Sequence, residues 1–385
     1  MKLFTPIKVG DVTLQHRVVM APLTRERADE HHVPTPMMAE YYAQRASSPG
    51  TMLISEATLV APQAGGRSHV PGLWCEEQVA GWQRVTSTVH AQGSYIYAQL
   101  WAMGRAAIPE ILQSEGRYPY VSASDVLLQG KPFPPRPLTI EEIKEYVEWF
   151  AIAAKNALRA GFDGVEFHAA NGYLIDQFIQ DTSNRRTDEY GGSIENRCRF
   201  ALEIIDAVAQ AIGEARTGIR VSPWGAFSDM KMSDPRPTFS FIASEIAKRH
   251  PNFAFLHVVE PRVEGADDRV VLEDESNDFL REIWSPRPFI SAGAYLRDSA
   301  LQVSESKGDI IAFGRLFISN PDIVHRLQND LPLVKGNRQT YYRTEGNPDS
   351  VGYIDYPFAD GTDEIDSEQA AAGADNTLFK ARGRG

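Results

Sequence analysis

Three polar residues stand close together in the run GVEFHAANGYLIDQFI that begins at Gly164: His168, Asn171 and Tyr173. An imidazole and a carboxamide three positions apart would aim the same way if a single helical turn carried them. Two neutral donors converging on one point hold an oxygen that gains negative charge during a reaction. A phenol beside them could supply a proton. A lone histidine here would more often be structural, but the cluster at the end of an apolar run favours a site.

A second feature is Arg220, inside the apolar run GIRVSPW. A permanent charge there needs an anionic or hydrogen-bonding partner. Two readings stay open: an ion pair with a barrel carboxylate, or an arginine set against a cofactor ring that gains negative charge on reduction. A third feature is the pair of glycine turns in SAG and FGR, with Gly293, Gly314 and Arg315. Glycines let backbone N–H groups approach a ligand, and a guanidinium contacts phosphate through two bonds. The remaining run ends carry Pro22-Leu23-Thr24, Glu56-Ala57-Thr58 and Gln99-Leu100-Trp101. Hydroxyl, small and amide groups suit a planar neutral heterocycle better than a metal, which would want converging His, Asp and Glu. Glu56 and His257 keep a metal as a minor alternative.

Something must bring these scattered positions together. Eight short runs rich in strand-forming residues recur, starting at Arg17, Thr51, Ser94, Gly164, Gly218, Phe253, Arg287 and Asp309. Most are continuously apolar, the pattern of parallel strands buried on both faces. Helical spacing lies between most of them. The clearest segment, 138–161, has Thr139 as N-cap with Glu142 three residues on, and Gly161 as its stop. Another spans 193–213, from Ser193 to Gly213. Eightfold strand–helix alternation predicts a (β/α)8 TIM barrel, whose active sites lie at the C-terminal strand ends and which often holds phosphate after strands seven and eight. No G-x-G-x-x-G supports a Rossmann fold. The stretch before the first strand predicts a hairpin turning at Val9-Gly10-Asp11 that caps the barrel bottom. Residues 102–137 form an insertion after strand 3, too long for a tight connection and of the length that covers sites. The expectation is one barrel over 1–358 and a poorly ordered acidic tail over 359–385.

Composition narrows the classes. The chain has 385 residues, 43% of them hydrophobic, and a net charge of −12, which argues against binding nucleic acid. Two cysteines, Cys75 and Cys198, are too few for a four-cysteine iron–sulfur cluster and read as reduced thiols. No apolar run reaches membrane-spanning or signal-peptide length. A cytoplasmic protein, monomer or homodimer, without membrane or nucleic-acid partner, is expected.

The motifs, taken in order, resemble the old yellow enzyme family of FMN-dependent ene-reductases. They are MAPLTRER from Met20, PQAGGRSHVPGLW from Pro62, AQLWAMGR from Ala98, FHAANGYLIDQFI from Phe167 and NRRTDEYGGSIENR from Asn184, followed by SPWGAFSDMKMSDP, FGR and GYIDYP. The resemblance covers Leu3 to about Pro357. It implies FMN as cofactor, with Pro22, Thr24, Ala57, Gln99, Arg220, Gly293, Gly314 and Arg315 holding it. Thr24, on flavin O4, is similar to the Thr-bearing branch. It implies His168 and Asn171 as the pair that binds substrate oxygen, Tyr173 as proton donor, and Trp101 and Tyr342 as pocket walls. NADPH or NADH would be co-substrate, and an enone, nitroalkene or quinone the substrate. Arg117, Lys131 or Arg136 in the insertion is the candidate to meet a coenzyme 2′-phosphate. The alternatives are a non-redox phosphate-binding barrel of aldolase or hydrolase type, and an FMN-binding sensor without turnover. The larger iron–sulfur dienoyl-CoA reductases do not fit two cysteines.

Overall fold

The structure is a computed structural model that describes residues 1–359 except 266, 345 and 347. The expected tail from residue 360 on lies outside the described residues.

Eight parallel strands form the barrel: β1 Val18–Met20, β2 Met52–Ile54, β3 Tyr95–Trp101, β4 Gly164–Ala169, β5 Thr217–Val221, β6 Phe255–Val259, β7 Phe289–Ala292 and β8 Ile310–Phe313. Each pairs with its sequence neighbours, and β8 pairs with β1, closing the cylinder. A two-residue strand, Thr58–Leu59, adds to the upper part of β3 and was not anticipated. All eight expected runs hold a strand. They read as continuously apolar because one face packs into the barrel and the other against helices.

The barrel helices are α1 Pro36–Arg45, α2 Glu76–Ala91, α3 Ile140–Arg159, α4 Ile194–Ile212, α5 Arg236–Arg249, α6 Asp278–Trp284, α7 Arg297–Lys307 and α8 Ile323–Asn329. The α3 start is the expected capping box. The Thr139 hydroxyl accepts from the Glu142 N–H at 3.2 Å, and the Glu142 carboxylate accepts from the Thr139 N–H at 2.8 Å. Ser193 caps α4 through its hydroxyl alone, accepting from the Asn196 N–H.

The hairpin forms as expected, with Ile7–Val9 antiparallel to Val12–Leu14 across a Gly10-Asp11 turn. Val9, Val12 and Leu14 join an apolar cluster with Val19, Met52, Ile54, Tyr97, Phe255, Ile290 and Ile310, filling the N-terminal end of the barrel. Gly164 and Gly218 make room for its two rings. A Cβ at Gly164 would lie 2.3 Å from the Tyr97 ring, and one at Gly218 would lie 2.3 Å from that of Phe255.

The insertion folds into a short helix, Pro109–Gly116, and a parallel pair, Val121–Ser122 with Arg136–Pro137. Its Ala107, Leu112 and Tyr120 pack with Ala57, Trp101 and Tyr173, so it covers the C-terminal ends of β2 and β3.

Candidate active site

The C-terminal strand ends bring the expected residues together. Trp101 ends β3, and His168 lies near the end of β4. Tyr173 follows in the next loop. The His168 and Tyr173 rings meet at 4.6 Å, Trp101 and Tyr173 at 4.9 Å edge to face, and Trp101 and His168 at 6.4 Å. The expected helical turn between His168 and Asn171 does not occur. His168 is in extended strand, and Asn171 takes a left-handed backbone with φ 56°. Asn171 is instead fixed by its N–H donating to the Ser222 hydroxyl at 2.8 Å. The next N–H, of Gly172, donates to the buried Asp176 carboxylate at 2.9 Å. The backbone between them is therefore a strand end followed by a pinned left-handed turn.

Electrostatics set the protonation of the cluster. Burial, with Arg220 and His257 nearby, holds the His168 imidazole well below its ordinary range, so it is neutral. Burial pushes the Tyr173 phenol up, against the nearby Arg67 charge, so it keeps its proton. Burial also raises Asp176 to about 7.

Arg220 lies beside His168 in the β4–β5 register and beside His257 in that of β5–β6. Its Nε is buried without a protein partner among the described residues, as are His168 Nδ1 and Trp101 Nε1. The carboxylate that feels its charge is Glu166. Yet the Glu166 oxygens are taken by the Gln99 amide at 2.8 Å and the His257 ring at 2.6 Å. A direct ion pair for Arg220 with a barrel carboxylate is thus not what the barrel builds. A half-buried guanidinium with donors to spare fits an acceptor-rich planar group such as the flavin ring.

Gly293 and Gly314 end the neighbouring strands β7 and β8. Gly293 has φ 142°, a backbone L-residues avoid, and a Cβ there would come within 3.1 Å of the Glu260 side chain. Beside them Arg315 pairs with Asp268, so an incoming phosphate would compete with that carboxylate. Thr24 and Pro22 are half-buried after β1, and Ala57 is buried after β2. The donors and glycines present fit FMN. Among the described residues no group of three His, Cys, Asp or Glu could hold a metal.

Tyr342 reaches the mouth from the C-terminal segment. Arg25 donates to the Tyr341 carbonyl at 2.9 Å and to that of Gly352 at 2.6 Å, while Arg27 donates to the Thr340 carbonyl. Below, Tyr353 stacks on Tyr41 at 4.2 Å with Arg25 over both rings. Arg67 lies over the Tyr342 ring and is paired with Glu26. A cavity of about 820 Å³ opens there, with Arg67, His69 and Arg343 among its walls. Of the insertion's basic residues, Arg136 pairs with Glu142, and Lys131 donates to the Ala106 and Ala107 carbonyls.

Sequence reasoning missed Arg67, Glu166, Asp176 and Ser222. Arg67 and Asp176 stand inside quoted motifs, but nothing local says which way they face. Glu166 sits two residues before His168, the strand period that puts both on one face, and that signal was available. The motif over 184–197 is scaffolding. Asn184 donates to the Phe178 and Tyr190 carbonyls, and Arg186 ties to Asp188 and to the Ala123 and Leu138 carbonyls.

Comparison with known proteins agrees with this architecture. Residues 2–334 match the model of the NADH:flavin oxidoreductase / NADH oxidase family. The chain is 49% identical over 362 residues to a chanoclavine-I aldehyde reductase of Penicillium roqueforti, covering 93% of this chain and 96% of that protein. It is 47% identical to an NADP-dependent oxidoreductase of Aspergillus flavus, covering 93% and 97%. Among solved structures, the old yellow enzyme homologue from Zymomonas mobilis superposes with a TM-score of 0.85 at 38% identity, covering 93% of this chain and 99% of that one. The chain therefore belongs to the FMN-dependent NADH:flavin oxidoreductase family, that of old yellow enzyme.

Proposed function

We propose that this protein is an ene-reductase that takes hydride from NADPH or NADH and delivers it to an activated carbon–carbon double bond. The observation that carries the reading is the Trp101–His168–Tyr173 ring cluster beside a half-buried Arg220 whose buried Nε has no protein partner among the described residues. Pro22, Thr24, Ala57, Gln99 and Arg220 would hold the flavin ring, with Thr24 at its O4 edge. Gly293, Gly314 and Arg315 would hold the phosphate. FMN, when bound, supplies the hydride chemistry between coenzyme and substrate.

The chain's own residues do the rest. A neutral His168 donates an N–H to the oxygen of an α,β-unsaturated carbonyl or nitro group, and the Asn171 amide donates a second. Both bonds strengthen as charge builds on that oxygen, which is where they lower the barrier. Tyr173, protonated, gives its hydroxyl proton to Cα while hydride reaches Cβ. Trp101 and Tyr342 wall the substrate side, and the insertion excludes water. Enones, nitroalkenes and quinones are the substrate classes. An aldehyde-activated double bond joins them, since one relative is named an aldehyde reductase. We further assign residues 1–358 to one barrel, acting in the cytoplasm as monomer or homodimer. No helix among the described residues is long and apolar enough to cross a membrane.

The test is anaerobic. Purified protein should bind FMN, bleach on adding NADPH or NADH, and regain oxidised flavin on adding an enone. Protein that takes up no flavin would return the aldolase or hydrolase alternative. Flavin that stays oxidised with either coenzyme would return the sensor.

A further inference from the structure

Beneath the ring cluster, the barrel interior holds a carboxylate with no part in the chemistry just described. Glu166 is fully buried on β4, two residues before His168. Its Oε1 accepts from Gln99 Nε2 at 2.8 Å, and its Oε2 meets His257 Nδ1 at 2.6 Å. Three strands, β3, β4 and β6, thus meet at one carboxyl group, and β5 lies among them with Arg220.

The chemistry of that group fixes its neighbours. An ionised carboxylate only accepts, so Gln99 must turn its NH2 toward Glu166 and His257 must carry its proton on Nδ1. Burial keeps the His257 imidazole neutral. Its Nε2 is then left as a buried acceptor without a partner among the described residues. The charge balancing Glu166 is therefore not His257 but Arg220, held close without a direct bond. With one Gln99 N–H bonded to Glu166, the amide is fixed in that orientation and its carbonyl oxygen is the acceptor left to face a ligand. The amide then presents an acceptor, and the guanidinium beside it presents donors.

We propose that Glu166, anchored by His257, is a positioning residue for the cofactor site. It locks Gln99 with its carbonyl toward the ligand, selecting an N–H on the flavin pyrimidine edge. It also offsets part of the Arg220 charge, which limits how strongly the site favours reduced, anionic flavin. The proposal rests on the FMN reading above. It reaches beyond that reading to a residue that touches neither cofactor nor substrate.

The experiment compares full-length wild type with Glu166→Gln, Glu166→Asp and His257→Phe. It reads the FMN dissociation constant by fluorescence quenching and the potential of bound FMN by dye equilibration. In Glu166→Gln the Gln99 amide is free to flip and Arg220 loses its counter-charge. Oxidised FMN should bind about tenfold more weakly. The reduced form should gain about tenfold relative to it, about 30 mV upward for a two-electron couple. Glu166→Asp keeps the charge but falls short of Gln99, so affinity should drop while the potential stays near wild type. His257→Phe frees the carboxylate and should weaken FMN binding in a chain that still folds. Should Glu166→Gln fail to fold, the split between affinity and potential in Glu166→Asp decides. Folded variants with wild-type affinity and potential would overturn the proposal. So would equal weakening of both flavin forms in Glu166→Gln, which marks a merely structural residue. Wild-type protein that binds no FMN would instead bring down the parent reading, and this one with it.

Discussion

The two ends of the barrel are built by the same strands and do opposite things. At the N-terminal end Val19, Met52, Ile54, Tyr97, Phe255, Ile290 and Ile310 fill the interior, and the hairpin closes it. Two residues further along β3, β4, β5 and β6, Tyr97 gives way to Gln99, Gly164 to Glu166, Gly218 to Arg220 and Phe255 to His257. One strand period advances the chain by only about 6.6 Å. Within that step the interior changes from apolar packing to a polar network with unmet donors. The lower end supplies the burial that holds the strands in register. The upper end accepts the cost of buried polar groups because a ligand can meet them.

The largest expected effect separates the two half-reactions at the upper end. Tyr173→Phe should slow enone reduction about 10²–10⁴-fold, the usual worth of a positioned proton donor, and leave flavin reduction by coenzyme nearly unchanged. Equal slowing of both, in stopped-flow traces, would count against the proton-donor role. At the lower end, Phe255→Ala should cost about 3–5 kcal/mol of unfolding free energy by denaturant titration. The folded fraction should keep its FMN affinity and potential. A shifted potential would show that the ends are not separable.

Next, His168→Ala with Asn171→Ala should retain FMN but weaken binding of phenolic ligands by at least about 10²-fold, on the scale of one lost oxyanion donor. An unchanged charge-transfer titration would break the oxygen-binding assignment.

The smallest effect is in the pH dependence of Tm, and it has opposite signs at the two ends. Burial raises Asp176 and Glu56, near the upper end, to about 7. The folded state then holds protons that the unfolded chain releases above its ordinary carboxyl range, so stability falls as pH rises from about 4 to 7. At the lower end burial depresses His16 to about 4. There the unfolded chain takes up the proton first, so stability falls as pH drops from about 6.5 to 4. Both contributions act between about pH 4 and 7 and oppose each other, so Asp176→Asn should make Tm rise with pH by a few degrees more across that window than in wild type, and His16→Gln by a few degrees less. Variants whose slopes of Tm against pH change in the opposite directions would reverse the assignment.

Much of this was legible in local sequence. The hairpin turn at Gly10, the Thr139–Glu142 capping box and the eight apolar runs depend on propensity and periodicity, which a chain carries residue by residue. Membership of the family was equally legible, through motifs from MAPLTRER to GYIDYP. The parallel pair in the insertion and the short strand at Thr58–Leu59 were not, because two-residue strands have no period to read.

The chain alone therefore determined the alternation that makes a barrel, the end at which its candidate site sits, and the residue types gathered there. Tertiary structure decided what those residues meet. The Asn171 backbone takes a left-handed turn that Ser222 pins, and Tyr342 is carried to the mouth by Arg25 and Arg27 from the far end of the chain. Arg220 sits beside a carboxylate already committed to Gln99 and His257. Strand spacing names which face a side chain takes. Only closure of the cylinder sets four strands side by side, and so only closure determines which buried charge is offset and which donor is left for a ligand.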